Sequence, residues 1–162
     1  MALPDLEPDC ARCAALCCVA LPFDRGAAFA FDKAGGEMCR NLSPARTCKI
    51  HASLAREGMA GCVAFNCHGA GQRVTQELFG GNRTPVSAMY DPFRAMRAVH
   101  ELLLLLREAA RLKLTPAQTA ERDALEASLT PDTWTAQSLA AFERGPLNAE
   151  VRAFLRTLAP VA

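Results

Sequence analysis

All eight cysteines of this 162-residue chain lie between Cys10 and Cys67, and residues 68–162 contain none. They run Cys10-x2-Cys13-x3-Cys17-Cys18, then Cys39-x8-Cys48, then Cys62-x4-Cys67. Thiolate is a soft metal ligand, and two cysteines two to four residues apart reach one ion from a single turn. By that rule Cys10/Cys13 and Cys62/Cys67 are the natural pairs. Cys39 and Cys48 bracket a segment containing Pro44 and would add one or two ligands. Eight thiolates are enough for two four-coordinate sites, or for an iron–sulfur cluster with ligands to spare. All-sulfur ligation suits zinc first and an iron–sulfur cluster second. The spacing matches neither the bacterial nor the plant-type ferredoxin run.

The vicinal Cys17-Cys18 pair is unusual for a simple zinc finger. On extended backbone the two side chains would face opposite ways and serve different sites. On a helix Cys10, Cys13 and Cys17 would share one face, with Cys18 beside them. His51 follows Cys48 by three residues and His68 follows Cys67 directly. Each is a ligand, a donor to a thiolate or a surface histidine, and with eight thiolates present the last two roles come first. Arg12, Arg46 and Lys49 flank the cysteines. His100 falls within a helical stretch and reads as an ordinary helix residue. Individual cysteines also serve as small buried hydrophobes, but so dense a set is poorly explained that way.

Other chemistry is sparse. Gly69-Ala-Gly71 lacks the preceding strand and third glycine of a dinucleotide loop, and reads as a turn. Asp24, Asp32 and Glu37 are not spaced as a paired-carboxylate site. No nucleophile-elbow, metalloprotease or phosphate-loop motif is present, which points away from an enzyme. A net charge of +1 with 22% charged residues argues for a folded chain without a nucleic-acid-binding stripe. The longest apolar run, Leu102 to Leu106, is far short of the roughly 20 residues that span a bilayer. The opening Met-Ala-Leu-Pro-Asp-Leu-Glu-Pro-Asp has neither a basic region nor an apolar core, so no secretory signal is expected. A cytoplasmic setting follows, and a reducing compartment favours metal ligation over disulfides.

The elements that must position these cysteines divide the chain in two. Residues 1–89 form a Cys-rich region of turns and short segments, with a brief helical turn expected around Gln72–Leu78. Residues 90–162 read as four helices. The first starts at Asp91-Pro92 and carries Phe93, Met96, Val99, Leu103 and Leu106 at helical spacing; its leucine run should be buried on several sides. Thr115-Pro116-Ala117-Gln118 has the form of a capping box. Thr130-Pro131 reads as the third start, for a helix carrying Trp134, Leu139 and Phe142 and stopping at Gly145-Pro146. Leu147 or Asn148 opens the fourth, with Val151, Phe154, Leu155 and Leu158 on one stripe. Short connections imply an antiparallel bundle. The expected fold is mainly α: an irregular, metal-stabilised, Cys-rich N-terminal half packed on an antiparallel helical bundle.

Several of these strings resemble a known family. Cys10-Ala-Arg-Cys13-Ala-Ala-Leu-Cys17-Cys18, Cys39-Arg-Asn-Leu42, Cys48-Lys-Ile-His51 and Gly58-Met-Ala-Gly-Cys62-Val-Ala-Phe-Asn-Cys67 are similar to the CxxCxxCC-type cysteine-cluster proteins, a zinc- or iron-chelating family. The stretches from Cys17 to Leu42 and from Gly69 to Gln76 resemble more closely the cysteine-rich N-terminal region of actinobacterial pentapeptide-repeat proteins. The likeness covers about residues 9–77 and only loosely the rest. The opening spacing departs from the nominal form, and no pentapeptide array follows. The resemblance implies metal binding by the eight cysteines.

The function expected from the sequence is that of a soluble metal-binding protein, structural or accessory in role, with zinc as the ion. The alternatives are an iron–sulfur redox component of an enzyme system and a protein–protein adaptor in a maturation pathway. The expected partners are a metal ion and a protein docked on the helical region, with neither nucleic acid nor membrane.

Overall fold

The computed structural model describes residues 4–158. Seven α-helices are present there: α1 Leu16–Ala20, α2 Ala60–Ala64, α3 Ala70–Arg73, α4 Tyr90–Ala109, α5 Pro116–Leu129, α6 Ala136–Arg144 and α7 Leu147–Thr157. Among the described residues there is no strand, only two isolated antiparallel bridges, Phe23 with Lys33 and Leu42 with Cys48. The chain is therefore mainly helical, as its periodicity predicts.

Helix α4 is the axis. Phe93, Met96, Val99, Leu102, Leu103 and Leu106 are completely buried along it. Helices α5, α6 and α7 all pack against it, as do α1 and α3 from the Cys-rich region. Such all-round contact explains an apolar run that no single-faced helix would need. One continuous core joins both regions, from Cys13, Leu16, Ala70 and Val74 through α4 to Leu129, Leu139, Val151 and Phe154. Among the described residues no helix is long and apolar enough to cross a membrane.

Local signals set most boundaries. At Thr115 the side chain accepts from the Gln118 backbone N–H, and the Gln118 side chain accepts from the Thr115 N–H at 2.9 Å, completing the expected box. Helix α4 begins at Tyr90, so Asp91 and Pro92 lie inside its first turn. Proline is tolerated there because the N–H it lacks would have no helical partner.

The third start is displaced from Thr130-Pro131 to Thr135. Thr130 is occupied in closing α5, its hydroxyl donating to the Glu126 carbonyl at 2.9 Å. Thr135 and Ser138 form their own reciprocal box, with N–H···O distances of 3.0 and 2.9 Å. Trp134 thus precedes α6 rather than riding on it, buried edge-on against Phe142 with ring centroids 6.2 Å apart. The turn expected at Gln72–Leu78 is longer than predicted, because α3 runs on without a break into a π-helical turn, Val74–Leu78.

Candidate metal centre

Three segments carry the cysteines. The first is the turn 10–13 with the start of α1. The second is the loop 39–48. The third is α2 and the corner that leads into α3. None of the eight cysteines is in a disulfide.

The first segment is held by side-chain hydrogen bonds from the helix that follows Cys67. Gln72, only 8% exposed, accepts from the Asp9 N–H at 2.7 Å and donates to the Glu7 carbonyl at 2.7 Å. Thr75 Oγ1 accepts from the Ala14 N–H at 3.0 Å, and Gln76 Nε2 donates to the Arg12 carbonyl at 2.7 Å. The two glycines of Gly69-Ala-Gly71 make this approach close. Gly69 has φ of 78°, a left-handed value that glycine adopts without penalty, and a Cβ there would meet the Asp5 carbonyl oxygen at 2.5 Å. A Cβ on Gly71 would lie 2.6 Å from Cys13 Sγ. The short glycine motif is therefore a packing device that seats Cys13.

The second segment is tied to the first by the Cys39 N–H, which donates to the Cys18 carbonyl at 2.9 Å. Its two cysteines are joined through the Leu42–Cys48 bridge and the Lys49 N–H, which donates to the Asn41 carbonyl at 2.8 Å. Arg83 spans both segments, donating to the Cys13 carbonyl at 3.3 Å and to the Ala45 carbonyl at 3.5 Å. The third segment is anchored by the Gly61 N–H donating to the Ala28 carbonyl at 2.8 Å.

The thiols feel one another. Burial pushes the Cys10 thiol up, and Cys17, Cys67 and, more weakly, Cys48 push it further. Burial drives Cys13 up to about 11, with Cys17 and Cys67 adding to the effect. Backbone N–H groups of Leu16 and Ala15 act in the other direction by hydrogen-bonding the Cys13 sulfur. Ala15 takes a left-handed φ of 56° to make that turn. The Cys17 thiol is raised chiefly by its bond with Cys18, whose Sγ is 3.9 Å away, and also by burial. Burial raises Cys62 too, and the charges acting on it are those of Cys17, Cys39 and Cys48. Of these contacts the one between the Cys17 and Cys18 sulfurs, 3.9 Å apart, is direct. Among the described residues, however, no three cysteine, histidine, aspartate or glutamate side chains stand close enough together to hold one ion.

Lys33 is a buried cation of the Cys-rich region and was not singled out from the sequence. It is 3% exposed, and its ammonium donates to the carbonyls of Val19, Ala34 and Glu37 at 3.2, 3.1 and 2.9 Å. It also lies 5.6 Å from the Phe23 ring centroid. Burial lowers its pKa, while Cys39, Glu37, Cys18 and Cys17 support its charge. The three carbonyls it donates to offset the cost of burying the ammonium.

His100 is likewise more than an ordinary helix residue. It is fully buried. Its Nδ1 contacts the His68 backbone carbonyl and its Nε2 lies 3.2 Å from Arg73 Nη1. A carbonyl only accepts and a guanidinium only donates, so the ring is neutral with its proton on Nδ1. Burial drives its pKa down to about 4, with Arg73 and Arg107 contributing. Helix α4 thereby grips the backbone immediately after Cys67, where His68 itself takes a left-handed φ of 49°. Neither His51, which is exposed, nor His68 joins a cluster able to hold an ion. Of the flanking cations, Arg12 and Lys49 are exposed and Arg46 is half-buried.

Fold and site together define a mainly helical protein whose N-terminal region carries eight free cysteines and packs, through α1 and α3, on a central helix. In sequence, the chain is similar to the uncharacterized protein YybG of Bacillus subtilis (strain 168), with 45% identity over 115 residues. That match covers 68% of this chain and 41% of YybG, so the chain spans about two-fifths of the length of the curated relative it matches. No family model matches the chain. No solved structure matches it either.

Proposed function

We propose that this chain is a metal-binding protein in which the eight cysteines hold zinc, and that the metal organises the Cys-rich region against the helical bundle. The observation that carries this reading is that all eight cysteines are free and lie within residues 10–67, with the Cys17 and Cys18 sulfurs 3.9 Å apart. Thiolate is the ligand form of cysteine, so a soft divalent ion would bind by displacing the thiol protons, against the burial that raises Cys10, Cys13 and Cys62 and the Cys18 bond and burial that raise Cys17. The donor set is all sulfur, which zinc accepts in four-coordinate structural sites. N–H groups directed at Cys13 and the buried Lys33 ammonium would stabilise the resulting anionic centre. The resemblance of residues 9–77 to zinc- or iron-chelating cysteine clusters points the same way.

The role is structural rather than chemical. Between residues 21 and 58 only Lys33, Cys39 and Leu42 are buried, too little to order that stretch by apolar contact alone. Elemental analysis of protein purified without added metal is expected to find at least one equivalent of zinc. Less than one equivalent of zinc plus iron combined defeats the reading, and a brown protein bleached by dithionite replaces zinc with an iron–sulfur cluster.

A further inference from the structure

Adjacent residues on a helix do not face each other, so two neighbouring cysteines in α1 would ordinarily turn their sulfurs apart. In this fold the two converge: Cys17 Sγ and Cys18 Sγ are 3.9 Å from each other. Their packing differs as well. Cys17 leans on the main core built around α4, whereas Cys18 packs with Ala15, Val19 and Leu42 in a second, smaller cluster. Both cysteines are half-buried, so their sulfurs meet where the two clusters adjoin without being sealed from solvent.

The frame behind the pair is fixed. Leu16, Val19 and Ala20 of α1 are buried. The Cys18 N–H donates to the Ala15 carbonyl at 2.9 Å, and the Cys18 carbonyl accepts from the Cys39 N–H at 2.9 Å. A direct disulfide suits this frame badly. Its S–S bond of about 2.0 Å would halve the present gap. Adjacent Cα atoms across a trans peptide are also only about 3.8 Å apart, below the roughly 4.4–6.8 Å that disulfides span. One atom bonded to both sulfurs needs no such collapse.

We infer that Cys17 and Cys18 form a dithiol site for a trivalent metalloid oxyacid of the arsenite class, held through both sulfurs. The inference goes beyond the zinc reading and does not rest on it.

The donor count fits this ligand. An acid of this class takes two thiols and keeps one hydroxyl, so it requires no third side chain. Among the described residues no group of three cysteine, histidine, aspartate or glutamate side chains stands close enough to demand a higher coordination. In the reaction two S–As bonds form and two As–O bonds break. Each thiol proton leaves with a hydroxyl as water, and no atom changes oxidation state. The product is neutral, which suits the surroundings. The bond with Cys18, and burial after it, hold the Cys17 thiol in its protonated form, and the dithiol ester leaves no anion behind in that setting.

The test is titration of the intact, reduced 162-residue protein with arsenite, counting arsenic after gel filtration. One equivalent is expected, released by a small dithiol and not by a monothiol. X-ray absorption at the arsenic edge should show two sulfurs and one oxygen, a reading on wild-type protein that no misfolded variant can imitate. C17S and C18S should each weaken uptake about a hundredfold, the loss of one of two linked bonds. C10S/C62S should keep it. Uptake retained by C17S/C18S, a three-sulfur shell, or no uptake by the wild-type protein overturns the proposal. Zinc measured on the same wild-type sample keeps the two readings apart: protein without zinc that takes up arsenite in this pattern defeats the metal-binding reading and sustains this one.

Discussion

From Phe93 to Phe154 the helical region buries a dense set of large apolar side chains, among them Met96, Leu102, Leu103, Leu129, Leu139 and Val151. From residue 21 to residue 58 the Cys-rich region buries only Lys33, Cys39 and Leu42. The first region is held by area removed from water and by capping boxes at Thr115 and Thr135. The second is held by side-chain bonds to backbone and by glycines that admit close approach. One chain thus uses two stabilising strategies. The difference locates where a bound ion would matter: in residues 21–58, which bury so little.

Removing metal should separate the two halves most sharply. Structural zinc contributes on the order of 10 kcal/mol to small metal-dependent folds. A strong chelator is therefore expected to abolish hydrogen-exchange protection across residues 16–62 while α4 retains its own. Equal loss in both regions would erase the distinction drawn here.

Leu103→Ala attacks the other strategy. A fully buried leucine on α4 should cost about 2–5 kcal/mol. Because the core is continuous, thermal melting should show both regions destabilised together. Loss confined to the bundle would mean that the Cys-rich region does not depend on α4.

His100 joins the halves, and acid tests the join. Its folded-state pKa, about 4, lies below the ordinary 6.5, so the unfolded chain binds the proton more readily. Its stabilising effect is intact above pH 6.5 and is lost progressively as the pH falls through 4, reaching about 3 kcal/mol at most. His100→Gln should flatten the stability profile across that window. An unchanged profile would remove His100 from the account.

Gln72→Ala is the smallest perturbation. It frees the Asp9 N–H and Glu7 carbonyl that pin the 10–13 turn. Zinc affinity is expected to fall about tenfold, the lower end for loss of a group that orients ligands. Bundle helicity should not change, and a drop in helicity without a change in affinity would reverse the assignment.

Much of the bundle was legible in the sequence because its signals are local. The capping box at Thr115, the Gly145-Pro146 stop and the helical spacing of Phe93 to Leu106 depend on neighbours within a turn or two. The displaced start of α6 shows where this fails: Thr130 and Thr135 are equally good cap residues, and only the hydroxyl's engagement with Glu126 decides between them. In the Cys-rich region the cysteine count and density were plain, but the grouping was not. Spacing joins Cys62 to Cys67, whereas the fold sets Gly71, four residues beyond Cys67, against Cys13 Sγ from more than 50 residues away in sequence. Lys33 and His100 carried no signal either. Each is an ordinary polar residue until tertiary packing closes over it.

The central claim is that the eight-cysteine region holds metal through sulfur. X-ray absorption at the zinc and iron edges, on protein purified without added metal, tests it most directly. The account predicts zinc with a shell of four sulfurs at about 2.3 Å and no nitrogen. Neither zinc nor iron in stoichiometric amount, or a shell dominated by nitrogen and oxygen, would contradict it.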